Sequence, residues 1–130
     1  MISDAEGKEN GDFLEINIDH GIMRIRFAKA LTWDLEIAKE TVKLRLEKSQ
    51  NISFPVLLDA RIVKSITKDA RDYLATEEAV ANVTAGALLI DSKVSKVMAN
   101  FYMMINKPAM PFKVFTDEEQ AMKWLRQFLE

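Results

Sequence analysis

Four sets of residues in this chain have types and spacing that could do chemistry. Asp59, the pair Asp91-Ser92, and Thr116 each follow a short apolar run. If those runs are parallel strands, all of these residues sit at the carboxyl edge of the sheet. Ligands of open α/β sheets collect at that edge. Two carboxylates there would offer Mg²⁺ the oxygen ligands it prefers. The plainer reading makes Asp91 and Thr116 helix caps and Asp59 a loop anchor.

The other three sets are weaker chemically. Arg61, Lys64, Lys68 and Arg71 cluster after Asp59, together with Ser65 and Thr67. Basic side chains beside a helix start attract a phosphate or an acidic partner, and the plainer, favoured reading is a solvated basic loop. A phosphotransfer aspartate at Asp59 needs acidic companions on the first strands, which offer only Glu15 and Asp19. A haloacid-dehalogenase start needs a second aspartate where Arg61 stands. His20 lies in a turn, and a lone histidine makes no metal site. The stretch Met98 to Met110 holds Phe101, Tyr102, Met103, Met104 and Ile105 in succession. At ~100° per residue, one helix stripe cannot bury all five. Met98, Phe101 and Ile105 share a face, with Met103 nearly opposite and Tyr102 and Met104 on the flanks. Exposed contiguous apolar surface marks interfaces, and methionine adapts to irregular partners. The expectation is a dimer or partner surface there, set against a helix simply buried deeply.

The elements that must position these residues are legible from pattern. Residues 1–11 read as a flexible polar tail, and 12–130 as one domain. Leu14, Ile16 and Ile18 alternate with Glu15 and Asn17, and Met23, Ile25 and Phe27 with Arg24 and Arg26. Asp19-His20-Gly21 between them predicts a hairpin turn, so the two runs read as antiparallel strands. Glu15 is placed to pair with Arg24 or Arg26 across the wet face. A first helix is expected from Thr32 as its cap, with Leu35, Ala38, Val42 and Leu46 as the buried stripe. Pro55 to Leu58 is apolar throughout, as a strand covered on both faces requires. Thr67 caps a second helix, with Ala70, Tyr73, Leu74 and Glu77 at helical spacing. Val83 to Ile90 is the next strand, followed by a helix bearing Val94, Val97, Met98, Phe101 and Ile105. Pro108 and Pro111 end it. Phe112 to Phe115 is the last strand. Thr116 with Glu119 then forms a capping box for a helix that buries Ala121, Trp124, Leu125 and Phe128.

The predicted order is β-β-α-β-α-β-α-β-α. That is an α/β domain with a five-stranded, mostly parallel sheet and one antiparallel strand from the hairpin. Composition adds exclusions. The chain has 130 residues, 18 basic and 20 acidic side chains, and no cysteine. Disulfides and thiolate sites are excluded. The near-neutral balance gives no electrostatic argument for nucleic acid. No apolar run approaches the ~20 residues of a membrane helix, and MISDAEGKENGD has no signal-peptide pattern. A cytoplasmic protein is expected. The four glycines are scattered, so no phosphate-cradling loop exists.

The run PVLLDARIVKSITKDARDYL, with the ending KPAMPFKVFTDEEQAMKWL, resembles small bacterial proteins of the STAS or SpoIIAA-like superfamily. The nearer likeness is to stand-alone members with a strand-Asp start, an ARDYL-type helix and a PFKVFT-x-x-x-x-A-x-x-WL end. It covers roughly residues 12 to 130. The resemblance implies a non-enzymatic switch that binds partner proteins, some members binding nucleotides. Anti-sigma antagonists of this superfamily carry a phosphorylatable serine at the start of the helix after the central strand. Here that corner reads Ile66-Thr67-Lys68-Asp69-Ala70, and the serine position falls at or near Lys68. The chain departs from the phospho-switch pattern, which leaves phosphorylation at Thr67 doubtful.

The sequence thus predicts a regulatory or protein-interaction module, self-associating, without catalytic residues, cofactor or metal. Its contact surfaces would be the loop of Asp59, Arg61, Lys64, Ser65, Thr67 and Lys68, and the helix of Met98 and Phe101 to Ile105. The alternative is a small-molecule or lipid-binding protein, with its pocket at the strand carboxyl ends or under the Met-rich helix.

Overall fold

The computed structural model describes residues 13–91 and 110–129. It opens with β1 (Leu14–Asp19) and β2 (Ile22–Phe27), paired antiparallel with Leu14 opposite Phe27 and Asp19 opposite Ile22. The two-residue turn holds His20 at φ 52° and Gly21 at φ 84°. Positive φ at both positions is the twist that two-residue hairpins need, and glycine adopts it without strain. The rest of the main sheet is parallel: β4 (Phe54–Asp59), β6 (Val83–Leu89) and β7 (Phe112–Phe115), in the order β1-β2-β4-β6-β7. The expected five-stranded mixed sheet is therefore present, with β4 at its centre.

One addition lay outside the sequence reading. Thr32–Trp33 is a short strand, β3, paired in parallel with β5 (Ser65–Ile66) in a separate two-stranded sheet. Helix α1 (Leu35–Ser49) therefore starts later than expected. Its cap is Asp34, not Thr32, and Asp34 accepts a 2.9 Å bond from the Ile37 N–H. The reason is tertiary: Trp33 is fully buried, with its ring edge-on to Phe27 at 4.8 Å. Burying the indole there forces Thr32–Trp33 into extended backbone. The left-handed residues Gln50 and Asn51 close α1.

Helix α1 buries Ala38 and Val42 as expected, while Leu35 and Leu46 are only half-buried. Arg45 is buried in their stead. Its guanidinium donates to the carbonyls of Ala79 and Ala81, both at 2.8 Å. Desolvation lowers its pKa from the ordinary arginine value, and two backbone acceptors hold the charge in place. Helix α2 (Lys68–Leu74) is shorter than the pattern suggested, so Glu77 lies in the turns that follow it. Thr76 marks the stop: its hydroxyl donates to the Tyr73 carbonyl at 2.7 Å and accepts from the Ala79 N–H.

The two faces of the sheet are covered differently. Met23, Ile25, Phe27, Val56 and Leu88 pack under α1 and α2. On the opposite face, Leu57, Ala85, Ala87 and Leu89 pack under α3 (Glu118–Arg126), which inserts Ala121 and Leu125. Trp124 and Phe128 are only partly buried around them. Asp117, not Thr116, caps α3, accepting a 3.0 Å bond from the Gln120 N–H. The expected cap at Thr116 thus moves on by one residue, because the chain offers two capping side chains in succession. Gly86 leaves room beside it for Phe112: a Cβ there would stand 3.1 Å from that ring.

Candidate functional site

The strand ends line up as the sequence suggested. The Ala60 N–H donates to Leu89 O, and the Ile90 N–H to Phe115 O, each at 2.9 Å. The carboxyl ends of β4, β6 and β7 thus form one edge, carrying Asp59, Asp91 and Thr116. Asp59 is buried, and it does not await a cation. Arg61 grips it with two parallel bonds, Nε to Oδ1 at 2.9 Å and Nη2 to Oδ2 at 2.7 Å. Two parallel bonds between a planar fork and a carboxylate make the strongest common ion-pair geometry. This partner, with Glu118 beyond it, raises the Arg61 pKa above the ordinary arginine value. Among the described residues, no group of three or more potential metal ligands converges.

Arg61 also reaches Glu118 Oε1, 3.2 Å away at the start of α3. The other oxygen of Glu118 pairs with Arg24 on β2, and Arg24 lies 3.4 Å from Asp19. Asp19 in turn lies 2.6 Å from His20 Nδ1. The hydrogen bond and electrostatic pull of His20, followed by those of Arg24, hold Asp19 below its ordinary pKa against a smaller opposing effect of desolvation. A line of alternating charge therefore runs from the hairpin turn, past the first turn of α3, to the end of β4. Glu15 and Arg26, opposite each other in the hairpin register, pair beside it. Of the two expected partners, Arg26 is the one that pairs, and Arg24 faces Asn17.

These groups surround a cleft of about 270 Å³. Glu15, Asn17, Arg24, Arg26 and Asp59 form its polar wall, over the buried side chain of Leu57. The cleft lies on the same sheet face as α3, over β1, β2 and the edge of β4. It offers guanidinium and amide donors, carboxylate acceptors and a small apolar floor. Each carboxylate is already matched to a cation, so the arrangement suits a mixed-charge surface better than a polyanion.

The predicted loop residues do not form one site. Asp59 and Arg61 belong to the charged line. Lys64, Ser65, Thr67 and Lys68 belong to the β3–β5 sheet and α2. Ser65 Oγ lies 3.2 Å from Thr32 Oγ1, and Lys68 pairs with Asp72 at 3.0 Å. The Lys64 N–H donates to Leu31 O at 2.8 Å, and its side chain is exposed. Arg71 donates to the Ile66 carbonyl at 3.2 Å. The Thr67 hydroxyl is the α2 cap, accepting from the Ala70 N–H at 3.3 Å and donating to Asp69 at 2.5 Å. Met98, Phe101, Tyr102, Met103, Met104 and Ile105 lie outside the described residues, as does Ser92.

Sequence reasoning missed Glu118, Arg24 and Asp19 as members of one network. The alternation of β2 did place Arg24 on the wet face, and Glu118 was legible as a first-turn acid. Nothing local says that α3 begins beside β2. That follows from the sheet order.

No curated protein matches the chain. Among solved structures it is similar to an uncharacterised DUF3478-family protein with a SpoIIAA-like fold from Shewanella loihica PV-4. The two share 14% identity at a TM-score of 0.62, over 86% of this chain and 91% of that one. At that identity the likeness speaks for the fold, and it bears out the SpoIIAA-like architecture. No described helix is long and apolar enough to cross a membrane. The model of a domain of unknown function, DUF7793, matches residues 16–129, and the chain belongs to that family.

Proposed function

We propose that this chain is a non-enzymatic regulatory module that works in the cytoplasm by binding another protein and by self-association. One observation carries the reading. The sheet face that α3 covers over β4, β6, β7 and Ile22 of β2 continues over β1 and β2 as a row of Glu15, Asn17, Arg24 and Arg26, half-buried or exposed, where α3 reaches Arg24 through Glu118. An ordered, mixed-charge surface beside a packed helix gives a partner register and selectivity more than raw affinity. Phosphorylation at Thr67 has no part in this reading, since its hydroxyl is committed to the α2 cap.

A photo-crosslinking side chain at position 17 tests the surface, with position 43 on exposed α1 as the control. A discrete crosslinked protein from position 17 alone is the expected result. Equal labelling at both positions removes the proposal. Self-association is assigned to the stretch Met98 and Phe101 to Ile105. The wild-type chain should sediment as a dimer and Met103→Glu as a monomer, and a dimer unchanged by that substitution removes this part.

The cleft of about 270 Å³ beside Asp59 favours a second reading, a small-molecule-binding protein with its pocket near the strand carboxyl ends. A stoichiometric small molecule released on denaturing the purified chain would select that reading over the first.

A further inference from the structure

We infer that β1 is a docking edge, and that its occupant is an extended basic segment of a partner protein, added as a further strand. The inference rests on the protein-binding reading above and specifies its geometry. Strand β1 ends the sheet order, and among the described residues it pairs with β2 alone. Its six residues run in unbroken register, without proline, lysine or bulge. Those are the usual devices that keep a sheet edge from accepting another strand.

The backbone shows which groups are on offer. The Ala28 N–H donates to Phe13 O at 2.8 Å. Bonded and non-bonded pairs alternate along an antiparallel ladder. The bonded pairs are therefore Glu15 with Arg26, Asn17 with Arg24, and Asp19 with Ile22. The N–H and C=O groups of Leu14, Ile16 and Ile18 point away from β2; Leu14 is inaccessible and Ile16 is 6% exposed, so the open part of the edge is its Ile16–Asp19 end.

Side chains select the occupant. On the face shared with the cleft, β1 presents Glu15, Asn17 and Asp19. Strand β2 answers them with Arg26 and Arg24. A strand with Lys or Arg at alternate positions repeats that answer on the open side, so each carboxylate lies between two cations. Its intervening apolar side chains would cover Ile18, which is 41% exposed on the other face. A second copy of β1 brings more carboxylates and no cation, whatever its register. The chain's own residues 1–12 are similarly unsuited, with Asp4, Glu6, Glu9 and Asp12 against Lys8. Strand addition then draws affinity from the main chain and selectivity from alternate side chains.

Hydrogen exchange of the ¹⁵N-labelled full chain tests this, with three seven-residue probe peptides. One alternates Lys and Val, one alternates Glu and Val, and one blocks the lysines at one end. Saturating Lys-Val peptide should slow exchange at Ile16 and Ile18 by about tenfold or more, and the other two should leave it unchanged. Ile18→Pro, which removes an outward donor without taking one from β2, should abolish the protection. Should Ile18→Pro fail to fold, Glu15→Gln with Asp19→Asn should erase the preference for lysine over glutamate. Three results overturn the inference: no protection, equal protection by the glutamate peptide, or protection already present in the free chain. A crosslink at position 17 that persists after any of these leaves the broader docking proposal standing, and its loss as well removes both.

Discussion

One face of the sheet is built in two ways. Over β4, β6 and β7 it is apolar and roofed: Leu57, Ala85, Ala87 and Leu89 meet Ala121 and Leu125, all nearly inaccessible. Over β1 and β2, beyond Ile22, which is buried in the same cluster as Ala121 and Leu125, the same pleat carries Glu15, Asn17, Arg24 and Arg26 at half-buried or exposed positions. The boundary is Asp59, the last residue of β4, gripped by Arg61 and sheltered under the start of α3. Burial of apolar area stabilises the first half. The second half gains little from its exposed ion pairs, whose median contribution is about 0–1 kcal/mol. A surface ordered to that degree with so little stability in return is available for recognition.

The comparison breaks or sharpens under four substitutions. Leu125→Ala empties the roofed half and should cost about 2–5 kcal/mol in a denaturant titration. A cost below about 1 kcal/mol would show that α3 is not the main cover of this face. At the boundary, Asp59→Asn leaves Arg61 one acceptor oxygen at position 59 and Glu118 as its carboxylate partner, and should cost about 1 kcal/mol, since Arg61 is 42% exposed and solvent screens the pair. In the open half, a double-mutant cycle on Glu15→Ala and Arg26→Ala should give a coupling of about 0.2–1 kcal/mol. That coupling should fade in 1 M salt, where the screening length falls to about 3 Å. If Arg26→Ala costs as much as Leu125→Ala, the open half is structural and the docking proposal loses its support.

The smallest effect is at the hairpin tip. The folded pKa of Asp19 lies below its unfolded value, so its contribution is complete above the unfolded pKa and is lost as pH falls through the folded one. In His20→Ala the side-chain carboxyl signal of Asp19 should titrate at higher pH than in the wild type. An unchanged midpoint would assign the shift to Arg24 alone.

Much of this was readable before any coordinates. The hairpin followed from Gly21 and strict alternation on both sides, and the central strand from Pro55 to Leu58 without a polar residue. Both are local signals. The misses at Thr32 and Arg45 were cases where distant packing outweighed local preference. Thr32 has a cap's chemistry, but burial of Trp33 against Phe27 draws it into a strand. Thr116 lost its cap to Asp117, which suits the role equally well. Arg45 stands near the end of α1, where the dipole favours a cation, and it is buried because the carbonyls of Ala79 and Ala81 accept from it. The charged line shows the same limit. Asp19 reads as a turn residue, Arg24 as wet-face, Arg61 as part of a basic loop and Asp59 as a loop anchor, and only the sheet order makes them neighbours of one another and of Glu118.

Arg45 has one further bearing on how the molecule moves. A single planar fork rivets α1 to the turns that deliver the chain into β6, where Asn82 also accepts from the Phe54 N–H at 3.1 Å. A tilt of that helix would therefore drag the entrance of one strand and the base of its neighbour together. That entrance lies at the end of the sheet opposite Asp59, so a strain carried through Arg45 enters the sheet away from the charged rim.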